Sequence, residues 1–191
     1  MDPAAKVRFG RAPLDVTQMG FGAAPIGNFL RPISEEESAA MVHAAWNAGM
    51  RYFDTAPYYG HGLSEARLGA ALRWYPREEF VVSTKVGRVL KPSRRSEIDF
   101  RPWVDGLPFQ VEVDYSYDGV MRCFEDSLHR LGLQYVDILF IHDTDVFTHG
   151  PHRQRTVGGL HTRRAGDDPH GAGGAVGRQA GEVDDPRRHP Q

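Results

Sequence analysis

GFGAAPIGN (residues 20–28) follows a first apolar strand at residues 18–21, and its reading decides between two folds. Strand and helix patterns alternate through the first 150 residues, and the strands are nearly continuous apolar runs. That combination predicts an α/β fold with a buried parallel sheet and helices outside it. A doubly wound sheet and a (β/α)8 TIM barrel both satisfy it. A doubly wound sheet that binds a dinucleotide carries Gly-x-Gly-x-x-Gly between its first strand and first helix. Here Gly20 and Gly22 are followed by Pro25 where the helix should open, so the fingerprint fails and the barrel is the better reading.

Before this stretch, residues 6–9 and 14–16 read as a hairpin turning at Gly10-Arg11-Ala12. After it, Ser34 with Glu37 three residues on forms a capping box, and acidic residues in that first turn suit the helix dipole. Met41, Val42, Ala45 and Trp46 continue at helical spacing, and Gly49 closes the helix. Residues 50–54 form the second strand. Ser64 is expected to cap a helix running through Leu72. Residues 80–86 (FVVSTKV) form a third strand, and a long loop follows to about residue 115. Residues 117–131 form a third helix with Val120, Phe124, Leu128 and Leu131 as its buried stripe, ended by Gly132. Residues 137–142 (DILFIH) are the fourth strand.

Composition narrows the function classes. A chain of 191 residues suits one ordinary domain, and its net charge of −2 gives no reason to expect nucleic acid as a partner. Cys123 is the single cysteine, so no intrachain disulfide is possible, and its place in a helical pattern reads as a core thiol. No run approaches the roughly 18 apolar residues of a membrane span. The opening MDPAAKVRFG lacks the apolar core of a signal peptide. A cytoplasmic protein that binds no membrane is expected.

The chain divides at about residue 150. Residues 151–191 contain no Phe, Trp, Tyr, Ile, Met or Lys, and are rich in Gly, Arg, Pro and His. Such a segment buries too little to offset its backbone ordering entropy, so a disordered C-terminal tail is expected. A basic arm is a poor reading, because seven Arg stand against five acidic residues with no aromatics between them. A metal site through His149, His152, His161 and His170 is disfavoured by irregular spacing, and no metal is expected. The composition is best read as GC-rich coding sequence translated out of frame.

Polar residues gather at the strand ends in the first 150 residues. Asp54 ends the second strand, Lys85 lies near the end of the third, His142 ends the fourth, and Tyr59 follows Asp54 in a loop. In a barrel that is the face where catalytic groups sit. A Lys in an apolar strand needs a carboxylate partner, which Asp54 can supply. Each residue also has a plainer reading: Asp54 as a turn former, Tyr59 as a rim aromatic, His142 as a satisfied core histidine.

The strings FDTAPYYGHGLSE (53–65), VVSTKVG (81–87) and EDSLHRLGLQYVDILFIHD (125–143) resemble the aldo-keto reductase family, from Val7 to about Asp143. The details look most like its bacterial sugar-dehydrogenase branch. The resemblance implies the N-terminal half of a (β/α)8 TIM barrel, about four strand–helix units, where a whole barrel needs about 250 residues. It implies a catalytic tetrad of Asp54, Tyr59, Lys85 and His142, and NAD or NADP lying along Gly22, Ala23 and Asp54. The implied reaction is hydride transfer between the nicotinamide and an aldose or small aldehyde or alcohol. Tyr59 would exchange the proton, since a phenol with an ordinary pKa of about 10 can do so beside a cation. Lys85 is that cation, Asp54 holds it, and His142 orients the substrate oxygen. The family's later strands, which bind the carboxamide and phosphates, have no counterpart after Pro151. The second expectation is therefore a catalytically inactive fragment of such an enzyme, associating through open barrel edges.

Overall fold

The computed structural model describes residues 2–144. The expectations for residues 151–191, and the four histidines weighed as metal ligands, lie outside the described residues.

The chain opens with a hairpin of β1 (Lys6–Arg8) and β2 (Asp15–Thr17), paired antiparallel. Four parallel strands follow in the order β3 (Phe21–Gly22), β4 (Tyr52–Asp54), β5 (Val81–Val86) and β8 (Ile138–Ile141). Helix α1 (Glu35–Asn47) joins β3 to β4, and α2 (Leu63–Leu72) joins β4 to β5. A second hairpin, β6 (Arg88–Pro92) and β7 (Phe109–Val113), and helix α3 (Tyr117–Leu131) lead to β8.

Alternation along the strands sorts the two faces of this sheet. Phe53 and Val82 are fully buried with Val42 and Ala45 of α1, Leu68, Ala71 and Leu72 of α2, and Leu131 of α3. Tyr52, Asp54, Ser83 and Lys85 lie on the opposite face, linked by side-chain hydrogen bonds instead of helix packing. Helices on one face and polar groups on the other make this the wall of a barrel, since a doubly wound sheet is covered by helices on both faces. The first hairpin approaches the N-terminal end of β4, where Thr17 Oγ1 accepts from the Arg51 amide at 3.1 Å, and its Phe9 packs edge-on to Phe140 of β8.

Local signals account for most element limits. Ser34 caps α1, its hydroxyl accepting from the Glu37 amide at 3.1 Å, and Gly49 follows the helix at φ +90°. Helix α3 spans the expected residues and ends on left-handed Gly132. Its most buried positions are Cys123, Ser127 and Leu131; Val120 and Phe124 are only partly buried, against Val86 and Val89.

Two expectations are corrected. Ser64 does not cap α2: Gly62 does, at φ 98°, and Ser64 lies buried in the first turn. Its hydroxyl donates to the Ala23 carbonyl at 2.7 Å and pairs with Thr55 Oγ1 at 2.9 Å, tying the helix to two strands. The stretch from Gly87 to Tyr115 is not an unstructured loop. FQVEV alternates apolar and polar residues, the pattern of a half-exposed strand, and it pairs with β6 over five rungs from Arg88↔Val113 to Pro92↔Phe109. Among the described residues no helix is long and apolar enough to cross a membrane.

Candidate active site

The site is built on the C-terminal ends of β4, β5 and β8. Asp54 is the last residue of β4, and Lys85 sits two residues beyond Ser83, its strand's partner to Asp54. Lys85 Nζ donates to Asp54 Oδ2 at 2.7 Å and to the Thr55 carbonyl at 2.9 Å. The Lys85 side chain is 14% exposed and that of Asp54 is 29% exposed, so the pair is partly withdrawn from water but open on one side. Ser83 donates to the other Asp54 oxygen at 2.6 Å, which fixes the carboxylate's orientation. The ammonium lies 4.8 Å from the centre of the Tyr59 ring, a cation–π distance.

His142 completes the group. Its ring meets that of Tyr59 edge-on at 5.8 Å and that of Tyr58 at 6.0 Å. It is 6% exposed, and burial pushes its pKa down to about 4, so the imidazole is neutral at pH 7. A neutral imidazole donates from one nitrogen only. Asp54, Tyr59, Lys85 and His142 are thus brought together on one rim.

The loop carrying Tyr58 and Tyr59 is held by close backbone contact. Gly60 (φ +64°) lies against Gly27, where any Cβ on Gly60 would come within 2.4 Å of the Gly27 carbonyl oxygen. The stretch containing Gly27 is pinned by Arg67, which donates to the Ile26 and Ile33 carbonyls, to Asn28 and to Glu35. Trp103, carried between β6 and β7, packs on both Tyr58 and Tyr59 at 5.4 Å. The second hairpin therefore walls one side of the site.

Gly22 pairs with Asp54 on the polar face, is exposed, and a Cβ there would meet open space. Ala23 is placed differently from the expectation: it is fully buried in the core, its amide bonded to the Asp54 carbonyl and its carbonyl to Ser64. Cys123 is a buried thiol whose pKa burial pushes up to about 11, which suits packing and not nucleophilic chemistry. Among the described residues no group of three or more His, Cys, Asp or Glu is placed to hold a metal.

Sequence reasoning passed over Ser83, Arg88, Trp103 and Asp143. Ser83 had a usable signal, since period-two alternation places it on the face of Lys85. Asp143 adjoins His142. Trp103 and Arg88 come from the hairpin that was read as a loop.

The aldo/keto reductase family model matches residues 18–163, well over half of the chain. The chain belongs to the aldo/keto reductase family. It is similar to pyridoxal 4-dehydrogenase of Microbacterium luteolum, 44% identical over 154 residues that cover 75% of this chain and 44% of that protein. It is equally similar, 44% over 151 residues, to D-threo-aldose 1-dehydrogenase of a Pseudomonas species. The chain thus spans under half the length of these relatives. Its fold matches the structure of a glycerol dehydrogenase from Gluconobacter oxydans with a TM-score of 0.57 at 22% identity, covering 84% of this chain and 46% of that one. The four parallel strands are the N-terminal half of the family's (β/α)8 barrel.

Proposed function

We propose that this aldo/keto reductase chain carries the proton-handling groups of an NAD(P)-dependent dehydrogenase acting on an aldose or a small aldehyde or alcohol. The observation that supports it is the Lys85 ammonium, held by Asp54 at 2.7 Å and set 4.8 Å from the Tyr59 ring centre. A bound nicotinamide would supply or accept the hydride. The residues present fit its reactive end: Gly22 leaves open space beside Asp54 on the polar face.

Tyr59 exchanges the proton at the substrate oxygen. Lys85 stabilises the phenolate that results, because a cation beside a developing negative charge lowers its energy most where water is scarce. Asp54 and Ser83 hold Lys85 in place. His142, neutral and buried, donates a hydrogen bond to the same substrate oxygen and orients it. Trp103 closes the wall and keeps water from the reacting atoms. The two relatives named above, a pyridoxal dehydrogenase and an aldose dehydrogenase, favour an aldose or a pyridoxal-like aldehyde as the substrate.

Joining residues 1–144 to the remaining portion of the pyridoxal 4-dehydrogenase relative gives a testable whole barrel. We expect that protein to reduce NAD⁺ or NADP⁺ in the presence of an aldose or pyridoxal. A folded joined protein that reduces neither cofactor with any aldose, pyridoxal or simple alcohol would overturn the reading.

A second reading concerns the 191-residue polypeptide alone. The β8 edge exposes Leu139, Phe140 and Ile141 at 43%, 36% and 40%. Exposed apolar residues on the last strand of the sheet, among the described residues, favour an inactive, self-associating chain.

A further inference from the structure

We propose that Asp143, held by Arg88, is a positioning residue that fixes His142 as the neutral tautomer protonated on Nε2. The inference deepens the function proposed above and rests on it for its purpose, though not for its geometry.

Three observations converge. Asp143 Oδ2 lies 3.5 Å from His142 Nε2 and accepts a hydrogen bond from Arg88 Nη2 at 2.7 Å. His142 Nδ1 is buried without a hydrogen-bond partner. The backbone of the pair is clamped by the Tyr115 hydroxyl, which donates to the His142 carbonyl at 2.6 Å and to that of Asp143 at 3.2 Å.

A proton on Nδ1 would leave a buried donor unpaired and would turn the bare Nε2 lone pair toward a carboxylate. Both cost energy. A proton on Nε2 faces the carboxylate and leaves only a lone pair at the buried Nδ1. At 3.5 Å the carboxylate attracts the N–H without locking it in a short hydrogen bond, so the donor stays available to a substrate oxygen. Arg88 serves the opposite need. Its guanidinium lies over the Tyr58 ring at 4.5 Å and offsets the Asp143 charge, which would otherwise draw a second proton onto the ring.

Asp143 occupies the left-handed region at φ 48°, where Asp and Asn are tolerated far better than other non-glycine residues. In that conformation its carboxylate lies 3.5 Å from His142 Nε2. It also makes Asp143→Asn a clean variant, removing the charge while keeping the backbone.

The charged groups facing His142 are Asp143, Arg88, Lys85 and Asp54. Asp143 and Asp54 favour the protonated ring, while Arg88 and Lys85 oppose it. Removing Asp143 should therefore lower the His142 midpoint further, and removing Arg88 should raise it.

The test is ring-nitrogen NMR of the full 191-residue chain with isotope-labelled histidine, His142 being assigned by its loss in a His142→Gln variant. In the unsubstituted chain at neutral pH, His142 should show a protonated Nε2 and a bare Nδ1. Asp143→Asn should mix the two tautomers and lower the midpoint, and Arg88→Gln should raise it. A purely structural role for Asp143 would leave the tautomer ratio unchanged. A protonated Nδ1 in the unsubstituted chain overturns the proposal, whatever the variants do. So does an Asp143→Asn spectrum in which the tautomer ratio is unchanged. If Asp143→Asn fails to fold, the tautomer of the unsubstituted chain still decides. Failure of the dehydrogenase reading would show separately, as absent cofactor reduction by the joined barrel with the His142 ring state intact.

Discussion

His142 carries a consequence that reaches beyond the site. Its folded pKa is depressed from 6.5 to about 4 by burial. Above pH 6.5 the ring is neutral in both folded and unfolded chains and contributes no pH dependence. As the pH falls from 6.5 toward 4, the unfolded chain takes up a proton that the folded chain refuses, so stability drops in that window. His142→Gln should flatten the dependence of the denaturation midpoint on pH between those limits; an unchanged slope would show that His142 is not the group responsible. At this scale the sequence was informative because chemistry-bearing residues are rare in apolar strands. Asp54, Lys85 and His142 stood out against MRYFD, FVVSTKV and DILFIH. Arg88 and Asp143 did not, because a charged residue past a strand end is ordinary until its partner is known, and theirs lie 55 positions apart.

The elements that position these residues are held by buried charge as well as by apolar packing. Glu65 of α2 is fully buried, accepting from Arg130 Nε at 2.6 Å and from Thr84 Oγ1 at 2.7 Å. It thereby ties α2, α3 and β5 together on the helix side of Lys85. Glu65→Ala leaves a largely buried guanidinium unpaired and should cost about 3–5 kcal/mol. The double change Glu65→Leu with Arg130→Met removes both charges and should cost clearly less, a difference that denaturant melts of the two variants would register. Arg67→Met should cost about 3 kcal/mol, since it strips donors from two carbonyls, Asn28 and Glu35 at once. Neither network was legible in the sequence, where Glu65 and Arg67 look like ordinary charged positions in a helix. The helices themselves were legible, because Ser34, Gly49 and Gly132 act through local backbone chemistry. The β6–β7 hairpin was missed because Pro92, Pro102, Trp103 and Pro108 read as breakers, and its pairing spans up to 25 residues, from Arg88 to Val113.

At the scale of the molecule, the described residues divide the labour of a barrel unevenly. The groups proposed for proton exchange lie on the first four strands, while the relatives extend well past the matched region. A cofactor is held along its whole length, by contacts worth about 1.5–3 kcal/mol each where charge assists. Losing several of them weakens a micromolar ligand to millimolar or beyond, because each 1.4 kcal/mol or so is tenfold. If the remaining cofactor contacts lie in the part of the relatives that the chain does not span, the 191-residue polypeptide alone should show no saturable NADH or NADPH binding below about 1 mM by fluorescence, on that same tenfold scale. It should also elute from a sizing column above its 21.4 kDa mass, because Leu139, Phe140 and Ile141 of β8 are exposed among the described residues. The central claim is that Tyr59, held beside Lys85, moves the proton. Its most direct test is the initial rate of cofactor reduction by the joined barrel, compared with its Tyr59→Phe variant. The rate should fall about 100-fold to 10,000-fold with cofactor affinity unchanged. A Tyr59→Phe protein that keeps most of its rate would contradict it.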